Sequence, residues 1–280
     1  MPLTAAENHI NQQFLASNSA NAKASLSRPS ALAEALEKNL LKSAGNSFAS
    51  STQLNAMFAT AAVEMWLRAT HSFLMSASTT LSSPIWSSVS GYYASHYAMR
   101  AFSHSLGYFH VFRRKKLVRL DLQTFSCLIE KKGASDREHI VYWRLVKDNK
   151  DIGNDPFFSH NEDQRHSDSA HRNRANYSDH ICAFPEFRVL DEKALRARLK
   201  ILSEMELSAV PAIDREKFPD LDSVQIVAYH RIVRFRRLLD DILGNRIRIW
   251  NENRNPAWSS NFLDFQVTEP RLISAVSAVA

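Results

Sequence analysis

The sequence predicts a mainly α-helical protein with a small antiparallel β-sheet inserted between helices. Three observations carry that prediction. Long stretches place apolar residues at steps of three and four, the period of an amphipathic helix. One region, residues 108–131, changes to alternation, the period of a strand. The 280 residues include only six Gly and nine Pro, too few for a long irregular architecture, and 45% are hydrophobic, enough for a real core.

Residues 1–28 are rich in Ala, Ser and Asn with scattered apolar positions (Ile10, Phe14, Leu15), which reads as a short helix on a mobile arm. Pro29 suits a helix first turn, Leu32, Leu36 and Leu40 step by four, and Gly45 stops that helix. Ser50 with Gln53 has the spacing of a capping box and opens a long pattern through Leu54, Met57, Phe58, Ala61, Met65 and Phe73. Residues 78–84 break it. A second rod follows over 86–107, about 33 Å long at roughly 1.5 Å per residue. Its stripe holds Val89, Tyr92, Tyr93, His96, Met99, Arg100, Ser103 and Leu106, with small residues opposite and Gly107 as the stop.

Val118, Leu120 and Leu122 then alternate with Arg119 and Asp121, and Phe125, Cys127 and Ile129 repeat the pattern. With 108–112 as a third strand, Arg113, Arg114, Lys115 and Lys116 form the tip of a hairpin. Charged tips of this kind commonly keep sheet edges soluble. Ser135 with Glu138 opens a helix through Ile140, Trp143 and Val146. Residues 150–171 have loop composition despite His160, His166 and His171. A helix over 171–184 must end near Pro185, and Asp191 caps another that buries Leu195, Leu199 and Leu202. After Pro211 and Pro219, residues 222–243 form a strong amphipathic helix. Val224, Ala228, Ile232, Phe235, Leu239 and Ile242 face inward, while His230, Arg234 and Arg237 line the other side with Arg231 and Arg236 at the flanks. The tail, with Trp250 and Trp258, reads as irregular cover.

The formal charge is +6 and the pI about 9.4, a balance that favours nucleic acid, other phosphates or acidic partners. Two Cys, Cys127 and Cys182, give no disulfide framework and point to a reducing compartment. No run of about 18 apolar residues and no leader pattern occurs, so the expectation is a soluble cytoplasmic protein that does not enter a membrane. There is no phosphate-binding Gly loop, no His-Glu-x-x-His, no paired Cys-x-x-Cys and no Gly-x-Ser-x-Gly. An NTPase, a zinc enzyme and an α/β-hydrolase are therefore disfavoured, and no cofactor or metal is expected.

What remains is Arg, His, Tyr and Asn on helices. If residues 172–180 are helical, Arg172, Asn176 and His180 stand one above another, with Asn173 and Tyr177 beside them. Arg holds a phosphate through two parallel hydrogen bonds, and His passes a proton near neutral pH. Those are the parts that metal-free RNA cleavage needs: a base for the ribose 2′-OH and a cation for the charge that builds on phosphorus. Tyr92, Tyr93, His96 and Arg100 are candidates for one wall of the same site. The basic tip (Arg113, Arg114, Lys115, Lys116) and the stripe Arg231, Arg234 and Arg237 are candidate contacts to RNA or a partner protein. The bland alternative for each is a solvated or structural helix face.

The run Gly91-Tyr92-Tyr93-Ala94-Ser95-His96-Tyr97-Ala98-Met99-Arg100-Ala101, with Leu106-Gly107, resembles the "YYA-x-x-H/Y-x-A-x-R-A" helix of HEPN (higher eukaryotes and prokaryotes nucleotide-binding) proteins. Arg172-Asn173-Arg174-Ala175-Asn176-Tyr177 resembles that family's later "R-x-x-A-D-Y" helix. The similarity covers residues 50–205 in order. It implies an up-and-down bundle of four or five helices, frequently dimeric, so domain limits are expected at 1–28, 29–210 and 211–280. Many members are metal-independent endoribonucleases of toxin–antitoxin and antiviral systems. Others have lost catalysis and bind nucleotides, RNA or proteins. The family's catalytic signature is Arg, four to six residues, then His. Arg174 and His180 satisfy that spacing, but Ala175 stands where a polar residue is usual; Arg172 is followed by Asn173 but has seven residues between it and His180. On a straight helix an i,i+6 pair points about 120° apart, so Arg174 and His180 converge only with helix distortion or a second subunit. RNA, a protein partner or antitoxin, and a homodimer are the implied partners.

Overall fold

A computed structural model describes residues 3–19, 31–130, 138–149, 155–159, 190–205 and 221–256. It is mainly helical with one small antiparallel sheet. In chain order the helices are α1 (Ala5–Ala16), α2 (Ala31–Lys42), α3 (Thr52–Ser78), α4 (Pro84–Ser105), α5 (Glu138–Asp148), α6 (Pro156–Ser159), α7 (Glu192–Glu204), α8 (Leu221–Leu243) and α9 (Arg248–Asn253). The strands are β1 (Ser47–Ala49), β2 (Tyr108–Val111), β3 (Lys116–Asp121) and β4 (Ser126–Glu130). Among the described residues no helix is long and apolar enough to cross a membrane.

The centre is the α3–α4 hairpin with α8 laid against it. Small residues on α4 make the close approach possible: Ala94, Ser95, Ala98 and Ala101 are fully buried. At Gly91 a Cβ would stand 2.5 Å from Val224 Cγ1 and 3.0 Å from Ser76 Oγ. A polar clasp fixes the register of all three helices. Ser76 Oγ donates to Ser87 O and Ser87 Oγ to Ser76 O, both at 2.6 Å. From α8, Gln225 Nε2 lies 3.0–3.1 Å from Ser76 O, Thr80 Oγ1 and Ser87 Oγ, while its Oε1 accepts from Arg198 of α7 at 2.8 Å. Farther along, Trp66 Nε1 donates to Ile232 O (3.1 Å), and its ring packs edge-on against Trp250.

The sheet has the order β1-β4-β3-β2. Its register pairs Val118 with Phe109 and Ile129, and Leu120 with Cys127. One face, with Phe109, Val111, Val118, Leu120 and Cys127, packs on Leu32 and Leu36 of α2 and Leu54 and Phe58 of α3. This second apolar cluster ties the inserted sheet to the helices.

Several sequence expectations are adjusted. The sheet gains β1, which precedes α3 and pairs with β4 some eighty residues later (Phe48 opposite Cys127). The cap of α3 is Ser51, whose side chain accepts from Leu54 N; Ser50 Oγ instead lies against Asn55 Oδ1. Residues 5–16, read as part of a mobile arm, form a docked helix with a Thr4/Glu7 capping box and with Ile10 and Phe14 fully buried. Phe157 and Phe158 are buried in α6, inside a stretch read as polar loop. Trp250 is fully buried on α9, not part of an irregular cover. As expected, Asp191 caps α7 through Ala194 N (2.8 Å), and α7 buries Leu195, Leu199 and Leu202.

Gly91→Ala is expected to destabilise the protein. Ala gains about 1 kcal/mol of helix propensity over Gly, but overpacking costs typically 1–3 kcal/mol, and Val224 and Ser76 are both held. Thermal melts should show the loss, and Val224→Ala in the same chain should recover part of it, giving a clearly non-additive double-mutant cycle.

Candidate functional site

The polar stripe of α4 turns inward. Tyr92 and His96 are 0% and 1% exposed, with their rings stacked at 6.0 Å between centroids, and His96 also faces Tyr142 and Trp143 of α5 at 6.1 and 6.4 Å. Tyr93 packs on Tyr92 and Tyr97. The Arg100 guanidinium lies 5.2 Å from the Tyr142 ring centre. Ser, Ala and Gly on the rest of α4 leave room for these large rings and for the helices that cover them.

The Arg stripe of α8, expected as a contact to RNA or a partner protein, joins the same wall instead. Arg231 is 0% exposed. Its Nε donates to Phe157 O (2.6 Å), its Nη1 to Ser95 Oγ (3.2 Å), and its Cζ lies 4.5 Å from the Trp143 ring centre. A buried charge is tolerated only where hydrogen bonds and polarisable groups replace water, and α4, α5 and α6 each supply one. Arg234 pairs with Asp155 (Nε to Oδ2, 2.7 Å) and covers the Phe157 ring. Its Nη1 also lies 3.1 Å from His230 Nδ1, while His230 Nε2 lies 2.9 Å from Met205 O. With the Arg234 donor at Nδ1, Nε2 donates to Met205 O, and the ring joins α8 to the end of α7. His230 is itself buried, and Arg237 is partly buried. Arg231, Arg234 and His230 therefore hold elements together inside the bundle, and Arg231 offers no open surface to RNA.

Two further groups matter. His104 is fully buried: Nδ1 meets Tyr108 O at 2.9 Å, the ring stacks on Phe109, and Nε2 has no hydrogen-bond partner among the described residues. Burial first, and the charge of Arg100 second, push its pKa down to about 3, against the opposing hydrogen bond to Tyr108. The ring is neutral and serves the core.

The basic tip is the opposite case. Phe112, Arg113 and Arg114 form a 3-10 turn after β2, Lys115 takes a left-handed conformation (φ +48°), and Lys116 begins β3. All five residues are exposed, Phe112 at 67%. Arg114 pairs with Glu37 at 3.0 Å; Arg113, Lys115 and Lys116 have no ion-pair partner among the described residues.

Arg172, Asn173, Arg174, Tyr177 and His180 lie outside the described residues. Their described flanks are fixed: Phe157 O is held by Arg231, and Leu190 N donates to Ser78 O at 3.0 Å. Among the described residues no cluster of His, Cys, Asp or Glu is arranged to hold a metal ion. The sequence missed Asp155, Phe157 and His104 as parts of this wall. The only signal for them was two adjacent Phe in an otherwise polar stretch and a His on a small-residue helix. No protein-family model, no curated protein and no solved structure matches the chain.

His104 makes stability pH-dependent. In the unfolded chain it titrates near 6.5, and in the fold near 3. Between those values the unfolded state holds one more proton. The contribution is complete above pH 6.5 and is lost as pH falls, by up to about 1.4 kcal/mol per pH unit. Urea midpoints measured on the acid side of neutrality should fall with pH, and the slope should become shallower by about one proton in His104→Phe.

Proposed function

We propose that this chain is an HEPN-like helical module that binds RNA through the Phe112–Lys116 tip. The observation that carries the reading is the exposure there of one aromatic ring and four consecutive cations, only one of which meets a carboxylate among the described residues. Lys and Arg take backbone phosphates and release counterions. An exposed Phe ring stacks on a base without regard to sequence. The likeness of residues 91–107 and 172–177 to HEPN helices and the net charge of +6 support the same reading.

A second reading, strand cleavage, is favoured by the tethering of the flanks of residues 160–189. On one side Phe157 O is held by Arg231 of α8, and on the other Leu190 N donates to Ser78 O at the end of α3. In this reading His180 takes the proton of a ribose 2′-OH, that oxygen bonds to the adjacent phosphorus, and the 5′-oxygen leaves with a proton. Arg172 or Arg174 holds the phosphoryl oxygens. The products are a 2′,3′-cyclic phosphate and a 5′-hydroxyl. On a straight helix Arg174 and His180 would point about 120° apart, so this reading needs either helix distortion or a second copy of the chain at the site, as in a homodimer.

Fluorescence anisotropy with an unstructured RNA in EDTA tests binding. Arg113→Ala/Lys115→Ala/Lys116→Ala should weaken it at least about tenfold and reduce the log–log salt slope by about 2, for three single-strand contacts of about 0.7 each. Phe112→Ala should weaken it by about 1–3 kcal/mol. Absence of binding, or a flat salt response, would sink the reading. Cyclic-phosphate ends that vanish in His180→Ala would establish cleavage; intact RNA bound with a normal salt slope would leave binding alone.

A further inference from the structure

A second polar site lies at the other end of β3. Strand β2 has four residues and β3 six, so β3 runs on past its neighbour, with Leu120 N donating to Gly107 O (2.8 Å) as the last link. Helix α1 fills the vacated flank. It is anchored by Ile10 and Phe14 in the core and by Gln13 Nε2 on His104 O (2.9 Å). It comes so near that a Cβ on Gly107, which has φ +80°, would stand 2.7 Å from His9 Nε2. A cleft of about 560 Å³ remains, with Asn8, His9 and Gln12 of α1 on one side and Arg119, Asp121 and Gln123 on the other. That volume is in the range of small-molecule sites.

The chemistry of the lining selects the ligand. Arg119 Nε is engaged with Glu130 Oε1 at 2.7 Å, one of five N–H donors of the guanidinium. Asp121 Oδ1 accepts from Gln123 N (3.0 Å) and Thr124 N (3.3 Å), which orients a carboxylate with acceptor capacity left over. Arg119 is balanced by Glu130, and Asp121 adds a negative charge, so a phosphate gains nothing here. The fitting ligand is uncharged, with a donor edge for the carboxylate and an acceptor edge for the guanidinium. Among the nucleobases guanine has both: adjacent N1–H and N2–H donors, and the O6/N7 acceptor pair that Arg reads. Adenine, cytosine and uracil lack the paired donors beside an acceptor pair. Gln12 and Gln123, exposed at the rim, carry amides that serve either role.

We infer that the α1–β3 cleft is a guanine-selective base pocket formed by Asp121 and Arg119 with the Gln12 and Gln123 amides. Within the RNA-binding reading on which this rests, it gives the tip a base preference: Lys116 and Asp121 are the two ends of β3, about 17 Å apart at roughly 3.3 Å per residue, so one single strand reaches both.

The test is calorimetry of the full chain with guanosine, adenosine, cytidine and uridine, all free of phosphate. Guanosine should bind and the other three should be at least about tenfold weaker, as one bidentate pair discriminates. Asp121→Asn, which keeps an oxygen for the turn N–H groups, should lose at least about tenfold in guanosine affinity. Because Asp121 also closes a turn, Gln12→Trp is the second variant: at an exposed position it fills the cleft, and binding should vanish with the melting temperature unchanged. The triple tip variant should bind guanosine as the parent does. Equal binding of all four nucleosides, no binding of guanosine, or full binding by both cleft variants would overturn the pocket. RNA binding without base preference would remove the pocket and spare the tip; guanosine binding without RNA binding would do the reverse.

Discussion

A guanidinium with no exposure to solvent sits where three helices meet α8, and the architecture around it follows from keeping that charge satisfied. Arg231 reaches a carbonyl of α6, a hydroxyl of α4 and the indole face of α5. Those contacts need a planar, forked cation; an ammonium at the same place offers no face to Trp143 and no matching pair of donors. The constraint runs outward. Ser95 must face α8, which turns the Tyr92–His96–Arg100 stripe toward α5. Phe157 must present its carbonyl, which brings α6 under Arg234 and His230. Desolvating a charge costs several kcal/mol, so the arrangement contributes orientation more than stability: a shift of α8 by one residue against α4 would leave Arg231 buried without its partners.

The same helices show what could and could not be read from residues alone. The spans of α3, α4, α7 and α8 follow their apolar periodicity and caps closely, because those signals are local. Asp191 caps α7 where the pattern put it, and Gly107 takes the positive φ expected of a helix stop. The burial of Arg231 was not legible. Periodicity ranks Arg as a surface residue unless its partners are known, and here they come from residues 95, 143 and 157. Strand β1 was missed for a related reason: three residues carry no measurable alternation, and the strand exists only because β4 offers an edge eighty residues later. In α1, two apolar residues four apart, Ile10 and Phe14, gave too little pattern to distinguish a docked helix from a loose one. The hairpin tip was legible, since its charge run and its flanking strands are contiguous. The 172–180 stretch, which carries most of the catalytic expectation, lies outside the described residues, and its chemistry rests on its residue types.

Two populations of cation therefore have to be kept apart. Arg231 is wholly enclosed, and Arg234 and Arg236 are largely so, with partners on neighbouring elements or on their own helix. They add to the net charge without adding to the field a polyanion meets at contact distance, because their charge is spent on protein groups. Arg113, Lys115 and Lys116 are exposed, adjacent and beside an exposed Phe. A net charge of +6 cannot tell these populations apart. The placement of charge does: polyanion affinity scales with the number of phosphates neutralised, and only exposed, uncommitted cations neutralise them. The α1–β3 cleft extends the same logic to uncharged groups. There Glu130 and Asp121 offset the single Arg119, which leaves hydrogen-bond pattern, rather than charge, as the property by which a ligand is chosen. A strand whose backbone is held at one end of β3 and whose base is read at the other would use both kinds of recognition on a single six-residue element, whose position is set by the apolar cluster beneath it.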